Sequence, residues 1–541
     1  MNILGLHSSF VATAHDSSAA LLCEGQLVSA IEEERLSRRK TSVGYPAKYS
    51  ILECLKLGQV DFKAIDLVVS DGITYPSMRE KLSRYLRLEF GISPQIEILQ
   101  QSDCHLWGSF FHSGFDEALV FDIEGVGDQV STKVSILRRN KNASSSLQTD
   151  LYVEGRENSL GIFYTLITQF LGFESIEGEY KVMGMAAYGN PRYDLSHLIY
   201  FDSFNERVVA KLNLISDNFN YTSIAESSFN EAYLAKTFGT SARRPHEKIT
   251  QVHFDIAASL QLHFENTYLE LIKYWKEKTG IKRICLSGGC TLNALANMRL
   301  LDMGFEGIFV MPAASDRGVS LGAAVQASFF GGKTVSPPTS MYLGSHYSLS
   351  EIKLELDSNQ IDYQICEEKN TRIAEDIAQG KIVGYFCGRS EFGPRALGAR
   401  SILANPRIEG MKNLLNAKIK FREDYRPFAP SVLEGSALLP SSIANLEYMT
   451  ITTKIADKDR LKFPEAIHFD GTSRVQLVKH NNQVLGDLLQ QIEKSSGHAS
   501  VINTSFNLKG EPIVNSPRDA LRTFYGCGLD VLYIETFRIS K

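Results

Sequence analysis

One stretch of the chain combines glycines and polar side chains in a way that suits phosphate binding. Residues 287–293 read SGGCTLN, after a short apolar run and before a segment with helical spacing. Glycines let the backbone approach a phosphate, and the N-terminus of the following helix offers free N–H groups. Gly288, Gly289 and Asn293 are therefore candidates for phosphate contacts, although a plain structural turn also explains a Gly-Gly pair.

A second stretch is rich in arginine. Residues 391–403 read EFGPRALGARSIL and contain Arg395 and Arg400, and Lys418, Arg422 and Arg426 follow within the next 26 residues. Arginines among Gly and Pro are poor candidates for a solvated helix face, whereas their guanidinium forks bind phosphate or carboxylate through two hydrogen bonds. The pattern indicates either a pocket for a compact dianion or a structural ion-pair network.

Two β-hairpin patterns precede these stretches and must position them. The first runs through residues 2–7, 19–23 and 26–31, and the second through residues 119–124 and 131–137. Each has polar residues in its loop, and two such hairpins predict the actin-like ATPase core, which approaches a nucleotide from both sides. Apolar spacing predicts helices and one further strand: the helices over residues 46–57, 75–90, 249–278, 294–303 and 319–326, and the strand over 283–286.

Length and composition predict two domains of a soluble protein. The chain has 541 residues, a formal charge of −5 and 43% apolar residues, so we expect no nucleic acid and no anionic membrane as partner. The eight cysteines show no zinc or disulfide spacing, and neither a signal peptide nor a spanning helix is apparent. We therefore predict a cytoplasmic protein. A Gly/Pro/Ser-rich linker over residues 332–344 predicts domains at 1–335 and 345–541.

Eight motifs spread over the chain resemble those of the O-carbamoyltransferases of the nodulation-factor and tobramycin type. The runs GPRALGARSIL and NTSFN are the most specific of them. The matching segments are residues 15–17 (HDS), 33–35 (EER), 179–184 (EYKVMG), 287–289 (SGG), 391–403, 422–430, 470–474 (DGTSR) and 501–507 (VINTSFN). The resemblance implies an α/β protein whose N-terminal domain is actin-like or sugar-kinase-like (ASKHA, Kae1-like) and whose C-terminal domain is a YrdC-like α/β fold.

The same resemblance implies a function in natural product biosynthesis. The C-terminal domain would make carbamoyl-adenylate from carbamoyl phosphate and ATP with Mg²⁺. The N-terminal domain would then transfer the carbamoyl group to a hydroxyl of a small-molecule acceptor, such as a secondary metabolite or sugar. Two alternatives stay open, transfer to an amine and a non-catalytic nucleotide-binding homologue. Size and family suggest a homodimer.

The resemblance also implies roles for individual residues. His15 matches the general base for the acceptor hydroxyl, a task that suits an imidazole. The expected contacts to the nucleotide and the carbamoyl-adenylate come from Lys40, Lys181, Gly288, Gly289, Asn293 and Asp316. The expected contacts to carbamoyl phosphate and the ATP phosphates come from Arg395, Arg400, Lys418, Arg422, Arg426, Asn503 and Ser505, with Arg474 as a weaker addition.

The chain departs from the family at the iron-type metal site of the N-terminal domain. The family uses two histidines one helical turn apart and two aspartates. His105 and Asp316 match, but Gln101 replaces the first histidine and Glu124 replaces an aspartate. An amide oxygen suits a hard ion better than a soft one. We expect either an altered divalent metal site at His105, Glu124 and Asp316, with Asp122 nearby, or a polar pocket without metal.

Three related classes fit less well. A hydrogenase-maturation carbamoylation factor would need zinc-finger cysteine pairs, and a tRNA threonylcarbamoyl transferase would need a broad basic surface. A sugar kinase would explain the two hairpins but not the arginine-rich C-terminal third.

Overall fold

The computed structural model describes residues 1–10, 14–139, 147–218, 228–332, 335–338, 340–436 and 444–541. Its first sheet has five strands in the order β3-β2-β1-β4-β5, with β1–β3 antiparallel and β4 and β5 added in parallel. These strands are β1 (Asn2–His7), β2 (Ser18–Cys23), β3 (Gln26–Glu32), β4 (Leu67–Asp71) and β5 (Gln95–Leu99). The accompanying helices are α1 (Glu33–Ser37), α2 (Tyr49–Gly58), α3 (Met78–Phe90) and α4 (Gln101–Ser113).

The second sheet repeats this topology with strands from the next part of the chain. Its order is β14-β13-β6-β7-β8, again with three antiparallel strands followed by two parallel ones. The strands are β6 (Glu117–Ile123), β7 (Val130–Arg138), β8 (Leu147–Gly155), β13 (Arg283–Ser287) and β14 (Gly307–Val310). The repeated order confirms the actin-like core that the two hairpin patterns predict.

Helices and two small hairpins complete the N-terminal part. The hairpins pair β9 (Ile199–Asp202) with β10 (Arg207–Ala210) and β11 (Ser216–Asn218) with β12 (Ser228–Phe229). The helices are α5 (Leu160–Phe170), α6 (Glu179–Met185), α7 (Leu212–Ile215), α8 (Glu231–Phe238), α9 (Gln251–Thr279), α10 (Ala294–Arg299) and α11 (Val319–Phe330).

Helices α4 and α11 pack between the two sheets and form their shared core with Trp107, Phe110 and Leu321. The two helices approach so closely that a Cβ atom at Gly322 would lie 1.8 Å from the Cys104 carbonyl oxygen. Any side chain at this position would force the helices apart. This packing fixes α4, which carries Gln101 and His105, against β6.

The C-terminal part contains an eight-stranded mixed sheet in the order β15-β24-β23-β16-β17-β22-β18-β21. Its strands are β15 (Gln364–Ile365), β16 (Val383–Phe386), β17 (Arg400–Ala404), β18 (Ala429–Leu433), β21 (Gln476–Val478), β22 (Ser500–Ser505), β23 (Val531–Ile534) and β24 (Phe537–Ser540), beside a pair of β19 (Thr453–Lys454) and β20 (Thr472–Ser473). The helices are α12 (Leu349–Ser358), α13 (Lys369–Ala378), α14 (Met411–Leu415), α15 (Asp457–Arg460), α16 (Gly486–Ser496) and α17 (Pro517–Tyr525). The YrdC-like assignment of this mixed sheet stays a prediction.

A segment of the C-terminal part docks on the N-terminal sheet. Ala444 forms a parallel bridge with Ile308, and the Asn445 side chain donates to the Val310 carbonyl and accepts from the Val310 N–H, both at 2.9 Å. The predicted boundary between residues 335 and 345 therefore lies between the sheets of the two parts, but contacts join these parts across it. The boundary stays a prediction. Within the predicted linker, residues 333, 334 and 339 lie outside the described residues.

Candidate active site

A cavity of about 1610 Å³ opens between the two sheets of the N-terminal part and the C-terminal sheet. Most of the residues that the sequence nominates line it. These are His15, Lys40, Glu124, Lys181, Gly289, Asn293, Asp316, Arg395, Arg422, Arg426, Asn503 and Ser505. One compartment therefore contains the predicted general base and most of the predicted phosphate-binding cations.

His15 lies at the N-terminal side of this cavity, in the loop that leads into β2. Its Nδ1 atom is 3.6 Å from Asp16 Oδ2 and 3.9 Å from Asp316 Oδ2. Burial lowers the pKa of His15, but the nearby carboxylates of Asp16 and Asp316 outweigh it and raise this pKa to about 8. The backbone is held by the His7 ring, whose Nε2 contacts the His15 carbonyl oxygen at 3.0 Å. The two carboxylates orient an imidazole that faces the cavity.

Asp316 contacts Gln101 and three histidines, His7, His15 and His105. Its Oδ1 accepts a 2.6 Å hydrogen bond from Gln101 Nε2, and its Oδ2 lies 3.8 Å from His7 Nε2. Burial raises the pKa of Asp316, but contacts with His105, His7 and His15 outweigh it and lower this pKa to about 2. The residue is thus a carboxylate that ties Gln101 to the histidines around it.

Behind Asp316, three potential metal ligands lie close together. One ligand atom each from His105, Asp122 and Glu124 all lie within 4.8 Å of one another. The sequence nominated His105, Glu124 and Asp316, and the structure adds Asp122 to them. Asp316 Oδ1 lies 3.7 Å from His105 Nε2 and also accepts from Gln101. The donor set fits a divalent cation, because both Asp122 oxygens and His105 Nε2 are buried without a hydrogen bond from the described residues.

The Gly-Gly turn is partly occupied by protein contacts. Gly288 has φ = 91°, and a Cβ there would lie 2.4 Å from the Ile123 carbonyl oxygen, so the turn requires glycine. The Gly289 N–H lines the cavity but donates to Glu124 Oε1 at 2.6 Å. Asn293 caps α10 by accepting from the Ala296 N–H. Gly288 itself does not line the cavity, and its role is to shape the turn.

Five cations from the C-terminal part line the cavity and form its cationic wall, namely Arg395, Lys420, Arg422, Arg426 and Arg474. Burial and the neighbouring cations lower the pKa of Arg422 to about 9, and they hold the pKa of Arg474 well below its ordinary value. Within the described residues, Arg426 pairs with Glu423 at 3.6 Å, whereas the other four have no carboxylate at ion-pair distance. Clustered buried cations without counter-charge are a site for a polyanion.

Lys420 and Arg400 show where the sequence interpretation needs correction. Arg400 is fully buried away from the cavity, and its guanidinium donates to the main-chain carbonyls of Cys387, Ala399 and Ser345. Lys418 is exposed on the π-helical turn Asn416–Lys420, and the cation that reaches the cavity is Lys420. A lysine-x-lysine pair does not reveal which lysine points inward until the turn that carries it is known.

Two further lysines differ in their freedom to bind a phosphate. Lys40 forms an ion pair with Glu177 at 2.7 Å. Lys181 lies 5.7 Å from the centre of the Phe173 ring, and burial lowers its pKa.

Two neutral polar residues of the site differ in the same way. Asn503 donates to Ser431 and Gln476, which leaves its buried Oδ1 without a partner from the described residues. Ser505 donates to Asn507 and belongs to the shell around Lys420.

Some residues of the site carry no signal that the sequence interpretation used. Arg317 lines the cavity and binds Asp16 at 2.9 Å and Glu34 at 3.5 Å. It therefore holds the residue next to His15. Its position beside Asp316 in an SDRG run was the available signal.

Comparison with known proteins places this arrangement in a family. Residues 75–325 match the family profile described as carbamoyltransferase N-terminus, and residues 374–541 match carbamoyltransferase C-terminus. Nodulation protein NolNO of Sinorhizobium fredii is 35% identical over 100% of this chain and 80% of its own length. Nodulation protein NolO of Bradyrhizobium diazoefficiens is 34% identical over 82% of this chain and 79% of its own.

The chain belongs to the carbamoyltransferase family and is a carbamoyltransferase enzyme, which confirms the resemblance seen in its motifs. Among solved structures, HypF of T. kodakarensis shares 13% identity, with a TM-score of 0.33, over 61% of this chain and 47% of that one. This likeness is too distant to carry an argument. In the described part of the chain, no helix has the length and apolar character needed to cross a bilayer.

Proposed function

We propose that this carbamoyltransferase joins carbamoyl phosphate and Mg²⁺-bound ATP into carbamoyl-adenylate at the cationic wall of the cavity. The carbamoyl group then passes to a hydroxyl of a small-molecule acceptor near His15. The observation that carries the proposal is the single cavity that contains both His15 and the uncompensated cations Arg395, Lys420, Arg422 and Arg474. A cytoplasmic location and a homodimer accompany the proposal as expectations from the sequence.

The cationic wall supports the first half-reaction by its charge. Carbamoyl phosphate and ATP together bring many negative charges, and the fixed guanidinium groups would hold them without reorganisation. Water releases phosphate from carbamoyl phosphate to leave carbamate. A carbamate oxygen then attacks the α-phosphorus of ATP and displaces pyrophosphate, which leaves carbamoyl-AMP.

His15 supports the second half-reaction by its position. The acceptor oxygen attacks the carbamoyl carbon, its proton passes to the His15 imidazole, and AMP leaves with the electron pair of the broken C–O bond. Asp16 and Asp316 hold the ring and stabilise the imidazolium that forms. A divalent ion at the His105 cluster would supply positive charge near this end of the cavity.

The experiment is pyrophosphate release from ATP by the purified protein, with and without carbamoyl phosphate. We expect release to require carbamoyl phosphate and to fall about 100-fold in Arg395→Ala, because one buried guanidinium without a protein counter-charge would be lost from the phosphate site. Lys418→Ala is the matched control, since Lys418 is an exposed cation of the same segment outside the cavity, and its activity should stay within about twofold.

Two results would count against the proposal. Pyrophosphate release that does not depend on carbamoyl phosphate would point to a different acyl donor. Equal losses in Arg395→Ala and Lys418→Ala would show that the cationic wall is not the phosphate site.

A further inference from the structure

A lysine, a cysteine and a glutamate meet in the C-terminal part, outside the cavity. Lys369 begins α13, Cys387 follows β16, and Glu535 lies in the turn between β23 and β24. The Lys369 ammonium donates to Cys387 Sγ and to Glu535 Oε2, both at 3.1 Å. The Cys387 thiol donates to the same carboxylate oxygen at 3.5 Å. These three residues do not line the cavity, so the proposed function makes no use of them.

Main-chain contacts hold this Lys-Cys-Glu triad in place. Glu535 Oε1 accepts from the Gly388 N–H at 2.6 Å, and the Cys387 N–H donates to the Ala399 carbonyl at 3.0 Å. The Cys387 side chain is therefore fixed between a strand pair and a turn. Cys387 is 7% exposed, whereas the side chains of Lys369 and Glu535 are 20% and 19% exposed. The triad thus borders the solvent through its two charged members.

The neighbours of Cys387 can both remove its proton and stabilise the thiolate. Burial raises the pKa of the Cys387 thiol, and the Lys369 charge acts against this. Burial also raises the pKa of Glu535, but Lys369 and the Gly388 N–H outweigh it and lower this pKa, so Glu535 is a carboxylate that can accept a proton. The thiolate is the form that attacks an oxidant. In the described part of the chain, Cys387 is the one cysteine whose sulfur accepts a hydrogen bond from a lysine.

We propose that Lys369 and Cys387 form a redox modification site, at which hydrogen peroxide joins the lysine nitrogen to the cysteine sulfur through one oxygen atom. The nitrogen and the sulfur already touch, and an inserted oxygen spans their separation with less movement than a direct S–N bond needs. The bridge would tie the start of α13 to the residue that precedes the arginine-rich segment. This inference does not depend on carbamoyl transfer.

The atoms of this reaction balance with two molecules of peroxide. The first oxidises the thiol to a sulfenic acid and is reduced to water. The second displaces the sulfenic hydroxyl as water and leaves a hydroperoxide on the sulfur. The Lys369 amine, after passing one proton to Glu535, attacks the oxygen that is bound to sulfur. The O–O bond then breaks, and the leaving hydroxide departs as water with a proton from the nitrogen. One thiol, one amine and two peroxides thus give one S–O–N bridge and three waters.

The test treats the full-length protein with hydrogen peroxide, digests it and measures peptide masses before and after dithiothreitol. In the wild type we expect the peptide of Lys369 joined to the peptide of Cys387, with the mass of both plus one oxygen less two hydrogens. Dithiothreitol should release the two peptides, because it reduces the bridge to thiol, amine and water. The joined species should fall at least about tenfold in Cys387→Ser and in Lys369→Arg, which each remove one bridging atom.

Lys353→Arg is the matched control. Lys353 is an exposed lysine of the same part that pairs with Asp357, so the yield of joined peptides should stay within about twofold. Lys369→Arg keeps a positive charge beside Glu535, and its melting temperature should stay close to that of the wild type. If Cys387→Ser does not fold, Lys369→Arg decides the test alone.

Three results would overturn the proposal. The first is the absence of joined peptides in the peroxide-treated wild type, and the second is an unchanged yield in Lys369→Arg. The third is a joined species without the added oxygen, which would mean a direct S–N bond. Glu535→Gln tests the proton acceptor, and we expect it to slow formation of the bridge about tenfold because the thiolate forms less readily. An unchanged rate would contradict the role of Glu535.

Discussion

His15 is the side chain whose removal should separate the two proposed half-reactions. It comes from the N-terminal part of the chain, while the cations that would bind ATP come from the C-terminal part and line the same cavity. In His15→Asn we expect carbamoyl transfer to fall by about 100-fold or more, because a general base contributes on the order of 10²–10⁴ in rate. Carbamoyl phosphate-dependent pyrophosphate release should stay within about threefold.

The measurement uses a panel of sugars, aminoglycosides and nucleosides, with product detected by mass spectrometry for any compound that the wild type carbamoylates. Equal loss of both half-reactions in His15→Asn would contradict the assignment of His15 to the transfer step alone. His112→Asn is a suitable control, since His112 is a histidine of the same part of the chain whose Nδ1 donates to the Gly108 carbonyl within α4 and which does not line the cavity.

The residue scale also shows what local sequence could not decide. Arg395 and Arg400 occur in the same motif, five residues apart, and chemically they are equivalent. Arg395 faces the cavity, whereas Arg400 begins β17 and stacks on Phe386, 3.5 Å from its ring centre. The difference arises because β17 pairs with β16. The spacing of residues within the motif does not predict this pairing.

At the scale of elements, Asp376 ties α13 to the β23–β24 hairpin. It accepts hydrogen bonds from Tyr533 at 2.7 Å and Arg538 at 3.0 Å and forms an ion pair with Lys381 at 2.6 Å. Burial raises the pKa of Asp376, but these partners outweigh it and lower this pKa to about 2. In Asp376→Asn we expect a loss of about 3 kcal/mol in the free energy of unfolding at pH 7, because the partner cations lose their counter-charge.

This contribution has a defined pH window. A carboxyl group whose pKa is lower in the folded state stabilises the fold above its unfolded pKa, near 4, and loses this effect as the pH falls toward 2. In urea unfolding, the difference in the free energy of unfolding between wild type and Asp376→Asn should be constant between pH 5 and 7. It should become smaller below about pH 4. A gap that does not change with pH would mean that packing rather than charge sets the difference.

Asn445 connects elements of the two halves by two hydrogen bonds to the Val310 main chain. Removing them leaves a partly buried N–H and carbonyl group unpaired, which costs about 1–3 kcal/mol. We expect Asn445→Ala to lower the melting temperature and to increase protease cleavage within residues 332–344. Asn405→Ala, which removes only a local bond to the Arg407 N–H, should not increase that cleavage. Equal cleavage in the two variants would contradict a docking role.

At the scale of the whole molecule, Arg38 joins α1 to the C-terminal part beside the cavity. Its guanidinium donates to the carbonyls of Ile513 at 2.6 Å and Pro512 at 2.9 Å, and both of these residues line the cavity. In Arg38→Ala we expect acceptor-independent pyrophosphate release to rise several-fold, because a loosened wall would let water reach the proposed adenylate.

Arg389→Ala is the matched control for this prediction. Arg389 also spans the two parts, donating to the Val28 and Gly344 carbonyls, but it does not line the cavity. Its variant should lose stability without an increase in acceptor-independent turnover. An equal increase in acceptor-independent pyrophosphate release in both variants would contradict the prediction. It would show that overall destabilisation, rather than the cavity wall, exposes the intermediate to water.

The sequence by itself determined the family and the two-hairpin actin-like core, and it nominated a set of site residues most of which line the cavity. It could do so because glycine turns, strand alternation and arginine-rich motifs act over a few residues. The first hairpin over residues 2–7, 19–23 and 26–31 matches β1–β3 to within a residue at each end. The helix over residues 249–278 matches α9 to within two.

Only the tertiary structure decided which chemically equivalent groups share a compartment. In the structure Lys420 rather than Lys418 lines the cavity, and Arg400 is buried in the core. Asp122 lies with His105 and Glu124, and Gln101 donates to Asp316. Each choice depends on strand register and helix packing between segments far apart in the chain. Those contacts form when apolar surfaces are buried together, and this burial fixes the direction of every side chain they carry.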